Sequence, residues 1–373
     1  MFYQKILTKE RRLIKNNLEK IRNMESSFFS YFSKHGFNSI SNPDLKVPED
    51  NTLFFANSTM AKMKKRIANK DIPKEGYAIV QKCLRAWSLQ VFLNKKEDFD
   101  FNSYFTMCGV LFPDQEPRNV LNHTVNFLVE NGFELERIVI KTSRNLINVN
   151  KSIPEVINPT VLYDTEQENY YKWNYGMDEI SGEGLTLSYN CEDGVIRDLG
   201  NIIAIKDVSG NITAWETGFG IETIIAIRDN IEQFNAHPIY NILNTEPNPD
   251  LKKIADSIVS SVEIIREGIA PGPKTQGYIL RKFLTAIHYL NKETKLDVKE
   301  TVLDYCKLMG YDESVEISNK ITNYLDKIDK SKIKNLADFQ RFMKKNKHLS
   351  QEEKIKLAKS SFSLEEFEVK YLV

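Results

Sequence analysis

The stretch from Leu199 to Thr223 constrains the fold of this chain more than any other. It opens with the apolar run Leu199-Gly200-Asn201-Ile202-Ile203-Ala204-Ile205, turns at Asp207-Val208-Ser209-Gly210-Asn211, and returns as Ile212-Thr213-Ala214-Trp215-Glu216. Two β-branched runs about such a turn predict a hairpin. The second strand leaves through Thr217-Gly218-Phe219-Gly220, after which Ile221, Ile224, Ile225 and Ile227 continue at helical spacing. A strand that enters a helix through two glycines lets a ligand approach the backbone closely and aims helix N–H groups at an anion. Alone, the same pattern serves equally as plain turn geometry.

The chain has 373 residues, enough for two or three domains with cores of their own. Lys plus Arg and Asp plus Glu each total 51, which excludes a global field favouring nucleic acid. The four cysteines, Cys83, Cys108, Cys191 and Cys306, stand far apart without metal-ligand spacing. That predicts reduced thiols in a cytoplasmic protein and no metal site. With no apolar run of membrane-spanning length and a charged N-terminus, neither a membrane partner nor a signal peptide is expected.

Taken in order, residues 4–35 predict a helix stopped by Gly36, and the segment from Asn51 to Asn57 predicts the start of a strand. Met60 to Ile67 reads as a short basic helix with a solvated face. Ala78 to Arg85 reads as a strand, a charged loop spans Asn94 to Asp98, and Asn102 to Gly109 returns antiparallel. Residues 117–132 predict an amphipathic helix, followed by a strand at Arg137 to Ile140. Residues 158–190 look loop-rich around Trp173, Gly176, Gly182 and Gly184, with a strand near Leu185 to Tyr189. Helices dominate from about residue 250, two of them opened by capping boxes, Ser350…Glu353 and Ser363…Glu366. The order predicts an α+β domain over 1–240 and a helical domain over 241–373.

Three ordered blocks resemble the alanyl-tRNA synthetase family of class II aminoacyl-tRNA synthetases. The first is Phe28-Phe29, His35-Gly36-Phe37, Thr52-Leu53-Phe54-Phe55-Ala56-Asn57 and Gln81-Lys82-Cys83-Leu84-Arg85-Ala86, similar to the family's "TLLFTNAGM" and "QKCVRAGG". The second pairs Asn201-Ile202-Ile203 with "WNIVF" and Glu216-Thr217-Gly218-Phe219-Gly220-Ile221-Glu222 with "DTGMGLER". The third runs Ile254-Ala255-Asp256, Glu267-Gly268, Pro271 and Gly277-Tyr278-Ile279-Leu280-Arg281-Lys282. Together they cover residues 20–290, and the last eighty or so match nothing in the family.

The resemblance implies a six- or seven-stranded antiparallel class II sheet flanked by helices, followed by an all-helical, tRNA-recognition-like domain. It also implies a ligase that activates alanine or a relative with ATP and Mg2+ and passes it to tRNA or another acceptor. By position Arg85 is the motif-2 arginine that holds carboxylate and α-phosphate together, a task suited to a planar bidentate cation. Trp173, Leu199, Gly200, Asn201 and Gly220 match nucleotide-contacting positions, Asn102 falls near the ATP-binding histidine, and Asn201, Glu216 and Trp173 match substrate contacts. Glu216 stands where the family has an aspartate that pairs with the substrate ammonium.

Departures concentrate on phosphate contacts. Thr223 replaces the motif-3 arginine, Thr106 replaces a glutamate, and the family's "GPCGPC" loop has become Glu179-Ile180-Ser181-Gly182-Glu183-Gly184. Two functions therefore stand side by side. One is an active adenylate-forming ligase using Arg85, Trp173, Asn201 and Glu216. The other is a catalytically impaired paralogue that binds an amino acid, an aminoacyl-tRNA or a protein partner, or uses preactivated aminoacyl groups. A cation replacing the lost arginine, Arg228 or Lys82, would separate them. The oligomeric state is not legible in the sequence.

Overall fold

The computed structural model describes residues 16–48, 50, 52–86, 89–93, 101–113, 117–146, 160–164, 168–243, 246–345 and 349–362. The chain runs through α1 (Asn16–Lys34), β1 (Asn38–Asn42), a short 3-10 helix (Thr59–Lys62), α2 (Lys64–Ala68), β2 (Tyr77–Leu84), α3 (Leu89–Leu93), β3 (Tyr104–Pro113) and α4 (Pro117–Glu130). Next come β4 (Ile138–Thr142), β5 (Thr160–Tyr163), β6 (Lys172–Asn174), β7 (Ile180–Asn190), β8 (Ile196–Asp207), β9 (Ile212–Gly220) and α5 (Ile221–Arg228). The remaining α-helices are α6 (Pro249–Arg266), α7 (Thr275–Thr294), α8 (Val298–Met309), α9 (Ser314–Lys345) and α10 (Gln351–Phe362). Among the described residues no helix is long and apolar enough to cross a membrane.

The strands form one mixed sheet in the order β1-β2-β3-β9-β8-β7-β4-β5, with β6 on β7. The expected six or seven antiparallel strands are thus exceeded. Among the described residues the nine include two parallel pairs, β1 with β2 and β4 with β5, both at the margins of an antiparallel centre. The β8–β9 hairpin forms as its sequence predicts. Its turn is held by the Asp207 carboxylate, which accepts from the Ser209 and Asn211 amides at 3.0 Å each.

Two segments differ from expectation. Thr52 to Asn57 forms no strand, because the Asp50 carboxylate accepts from the Thr52 amide (2.9 Å) and hydroxyl (2.5 Å) and curls the chain instead. Residues 160–190 are richer in strand than expected, with β5, β6 and the eleven-residue β7. Gly184 sits inside β7 because an added Cβ would lie 2.2 Å from the Ile202 carbonyl oxygen. Glycine there serves close strand approach and not a loop. The Ser350–Glu353 capping box forms reciprocally, at 2.8 and 3.3 Å. The N-terminal part of the first predicted helix (4–15), Asn51, the 94–98 loop and the Ser363…Glu366 box lie outside the described residues.

The two sheet faces follow the period of two along each strand. Trp215 and Phe219 of β9, with Val110 and Phe112 of β3, pack against Phe28 and Phe32 of α1 and Phe127 of α4. Burying each such ring contributes about 1.5–3 kcal/mol. Among the described residues the opposite face is covered only at its ends. Met60, Met63 and Ile67 sit on Ile79, Leu111, Ile205 and Ala214 at one end. At the other, helices α6 and α7 pack with Leu84, Phe92 and Tyr104. A strip of sheet around Met107, Gly109, Asn201 and Gly218 lies between these two packed ends.

Candidate functional site

That strip is lined by a cleft with two lobes. The first, of about 480 Å³, holds Trp173, Tyr175, Glu216 and Lys64. The second, of about 310 Å³, holds Asn102, Leu199, Gly200, Gly220 and Thr223. Arg85, Met107, Asn201 and Gly218 line both lobes, so the two are contiguous. All eight site residues predicted from sequence therefore meet in one cleft, although they come from segments more than a hundred residues apart.

The register explains why the floor is open. Gly109 of β3 faces Gly218 of β9 directly, and Gly218 faces Asn201 of β8. A Cβ on Gly109 would sit 2.3 Å from the Thr217 carbonyl oxygen, and one on Gly218 would sit 2.5 Å from the end of the flexible Met107 side chain. From Glu216 to Gly220 the strand advances four residues, about 13 Å. An elongated ligand can lie flat along this floor with one end at each lobe.

Arg85 leaves the end of β2 where its amide donates to the Ser103 carbonyl (2.9 Å). Its Nε donates to the Asn57 carbonyl (3.0 Å), and its guanidinium lies 5.0 Å from the centroid of the Phe105 ring. These contacts leave a planar cation at the junction of the lobes. Asn201 is oriented by the Thr186 hydroxyl, which donates to its side-chain oxygen at 2.9 Å. Asn102 is buried and lies 3.5 Å from the Gln233 carbonyl.

Glu216 is 7% exposed, and the Tyr175 hydroxyl donates to its Oε1 at 2.6 Å. Burial pushes its carboxyl up to about 7, with the Tyr175 hydrogen bond pulling the other way. Burial, and the carboxylate beside it, hold the Tyr175 phenol well above the ordinary range. A carboxyl raised in this way takes up a proton more readily than an ordinary one, and an ammonium placed beside it would favour its ionised form.

Sequence reasoning missed Tyr175 and Lys64. Tyr175 follows Trp173 by two residues, so strand periodicity could have put both on one side. The basic run around Lys64 predicts a solvated face. The Lys64 ammonium instead pairs with Asp50 at 2.8 Å, with side chains only 11% and 13% exposed, and it lines the first lobe. The Lys64 contact holds the Asp50 carboxyl below its usual range despite burial.

Neither proposed substitute for the missing arginine lines the cleft. Arg228 pairs with Asp229 at 2.8 Å, and Lys82 pairs with Glu25 at 2.7 Å and donates to the Thr106 hydroxyl at 2.8 Å. Thr106 itself is buried, and its amide donates to the Glu222 carboxylate at 3.0 and 3.1 Å. Among the described residues, Arg85 is the one Lys or Arg side chain lining the Thr223 lobe.

No family model matches the chain. It is similar to alanine–tRNA ligases of Ehrlichia chaffeensis (22% identical over 317 residues, 73% of this chain and 34% of the relative) and Wolbachia pipientis wMel (22% over 329 residues, 79% and 35%). That of Ruegeria sp. strain TM1040 is 24% identical over 319 residues, 72% of this chain and 34% of the relative. The chain spans about a third of the length of the curated relatives it matches. Among solved structures it shows slight similarity to apo histidyl-tRNA synthetase of S. aureus (TM-score 0.35, 11% identity, 57% of this chain and 70% of that one). The same holds for PylSc, a pyrrolysyl tRNA synthetase of Desulfitobacterium hafniense (TM-score 0.35, 12% identity, 61% and 76%). By its sequence similarity the chain is a diverged relative of the alanine–tRNA ligases.

Proposed function

We propose that the chain activates a small amino acid by adenylation and hands it to tRNA or another acceptor. The observation that carries this reading is the two-lobed cleft with a buried carboxyl at one end and Arg85 at the junction. Glu216 takes the ammonium of the amino acid in the first lobe, against the Trp173 wall. The nucleotide lies in the second lobe over Gly200 and Gly220. Arg85 then faces the two anions that must be brought together, the amino-acid carboxylate and the α-phosphate. Neutralising both and holding them in line is the larger part of catalysis for such a transfer. The carboxylate oxygen attacks phosphorus, the bond to pyrophosphate breaks, and Arg85 stabilises the charge that gathers between them. In this reading residues 1–240 carry the chemistry and residues 241–373 serve acceptor recognition, in a reducing compartment that suits the four free, buried cysteines.

Mg2+ is expected with ATP in such chemistry, yet the described residues do not fit a protein-held ion. The one carboxylate lining the nucleotide lobe, Asp198, already takes the Ser188 hydroxyl (2.7 Å), the Tyr170 hydroxyl (3.3 Å) and Lys141 (2.5 Å).

Thr223 and the engagement of Arg228 and Lys82 elsewhere favour a second reading, in which the cleft accepts a preactivated aminoacyl group and needs no grip on a triphosphate tail. Amino-acid-dependent ATP–pyrophosphate exchange separates the two. Exchange with one amino acid of a panel, lost in Arg85→Ala, is the result expected of the ligase. Silence across the panel from folded protein removes ATP-dependent activation.

A further inference from the structure

Helix α6 is buried along most of its length, and it carries two acids seven residues apart on one face, Asp256 and Glu263. Neither lines the cleft. Asp256 is 3% exposed, and its Oδ1 accepts from the Ser103 amide at 2.6 Å. The Ser103 carbonyl in turn accepts from the Arg85 amide at 2.9 Å. Two residues beyond Ser103, the Phe105 ring lies beside the Arg85 guanidinium. The main chain of Arg85 and the start of the strand that carries its ring partner are thus fixed by one carboxylate from the helical part.

Glu263 anchors the other end of this line. It accepts from the Tyr305 hydroxyl of α8 (3.0 Å) and the Tyr311 hydroxyl (2.8 Å), and Arg266 reaches it at 3.3 Å while lying 3.4 Å from the centroid of the Tyr311 ring. The Ser103 amide donates its hydrogen bond to the buried carboxyl of Asp256, and such a bond is strongest when the carboxyl is ionised. Its placement where the chain turns from loop into β3 is directed at Arg85, not at filling the helix interface, which apolar side chains of α6 and α7 already fill.

We infer that Asp256 is a positioning residue for Arg85, through which α6 couples the helical part of the chain to the cleft. The inference rests on the reading of Arg85 as the anion clamp, and its test has an arm that does not.

In the full chain, Asp256→Ala should raise amide exchange at Ser103 and Arg85 by on the order of tenfold, with the middle of β2 unchanged, and Asp256→Asn, which keeps the acceptor oxygen, should restore protection. In pyrophosphate exchange, Asp256→Ala should lower kcat about tenfold with the amino-acid KM within about twofold, Asp256→Asn should recover it, and Asp256→Ala should add nothing to Arg85→Lys, which keeps a cation and residual exchange. If the alanine variant does not fold, Asp256→Leu, of similar shape and apolar, replaces it in both arms. Unchanged protection at Arg85 overturns the inference, as does a variant that only melts earlier with kcat intact, or effects that add in the double variant. Wild-type protein that exchanges no pyrophosphate sinks the function reading alone, and the amide-exchange arm still decides the role of Asp256.

Discussion

Replacing Glu216 by glutamine isolates the electrostatics on which the first lobe depends. Glutamine keeps an acceptor for the Tyr175 hydroxyl, which donates to Glu216 at 2.6 Å, and changes little in shape. It removes the ionisation. In the folded protein the Glu216 carboxyl titrates at about 7 against 4.5 when unburied. Because the folded value is raised, the carboxyl supports the fold fully below about pH 4.5 and progressively loses that support as pH rises through about 7. A gap of this size corresponds to about 3 kcal/mol at high pH, of which about 2.5 kcal/mol develops between about pH 5 and pH 8. Glu222 and Asp256, buried and also raised to about 7, lend the same slope to both proteins and cancel in the difference. Urea unfolding of wild type and Glu216→Gln at the two pH values should therefore show the variant gaining about 2.5 kcal/mol on the wild type toward the alkaline side. An equal difference at both pH values would mean that Glu216 is not buried in the way described. Any loss of ammonium binding in the variant would then need another cause.

Two further outcomes follow from the floor and from the Thr223 lobe. Gly109→Ala puts a Cβ 2.3 Å from the Thr217 backbone oxygen and should lower stability by about 2–3 kcal/mol in denaturant unfolding. Gly218→Ala meets only the Met107 side-chain end and should fold normally while losing ligand affinity. Equal destabilisation of the two would contradict the register of β3 and β9. Thr223→Arg returns a cation to the second lobe and should lower the KM for ATP about tenfold in pyrophosphate exchange, with the amino-acid KM unchanged. An unchanged ATP KM would mean that Thr223 does not face the nucleotide tail.

Much of the centre of the molecule was legible because local chemistry and tertiary packing agree there. The Leu199–Thr223 run has one consistent reading: β-branched strands, an Asp207 turn and glycines at the strand end all favour the hairpin that forms. The eight site residues could be named because they fall at positions that match motifs of the family the sequence resembles; their local pattern alone would not have marked them. Legibility fails where a side chain far along the chain decides. Thr52 to Asn57 is a local exception: its composition is strand-like, but the Asp50 carboxylate, two residues before Thr52, captures the Thr52 amide and bends the chain away. Gly182 and Gly184 look like loop residues until Ile202 and Ile203 of β8 are seen packed against them. Lys64 looks solvated until Asp50 folds back onto it, and Asp256 is one of several polar residues on a buried helix, with its partner, Ser103, 153 residues away. Such pairings are set by tertiary placement, which no local period encodes.

The central claim is that one ligand spans both lobes, its ammonium on Glu216 and its nucleoside beyond Arg85. Calorimetric binding of non-hydrolysable aminoacyl-sulfamoyl adenosines, the alanyl compound first, tests it without requiring ATP activation. The expected result is one-to-one binding at least a hundredfold tighter than that of adenosine or the free amino acid, because joining two occupants of adjacent lobes adds their binding free energies, and it should weaken sharply in Glu216→Gln. Failure of every aminoacyl analogue to bind folded protein, or equal binding by wild type and Glu216→Gln, would contradict it.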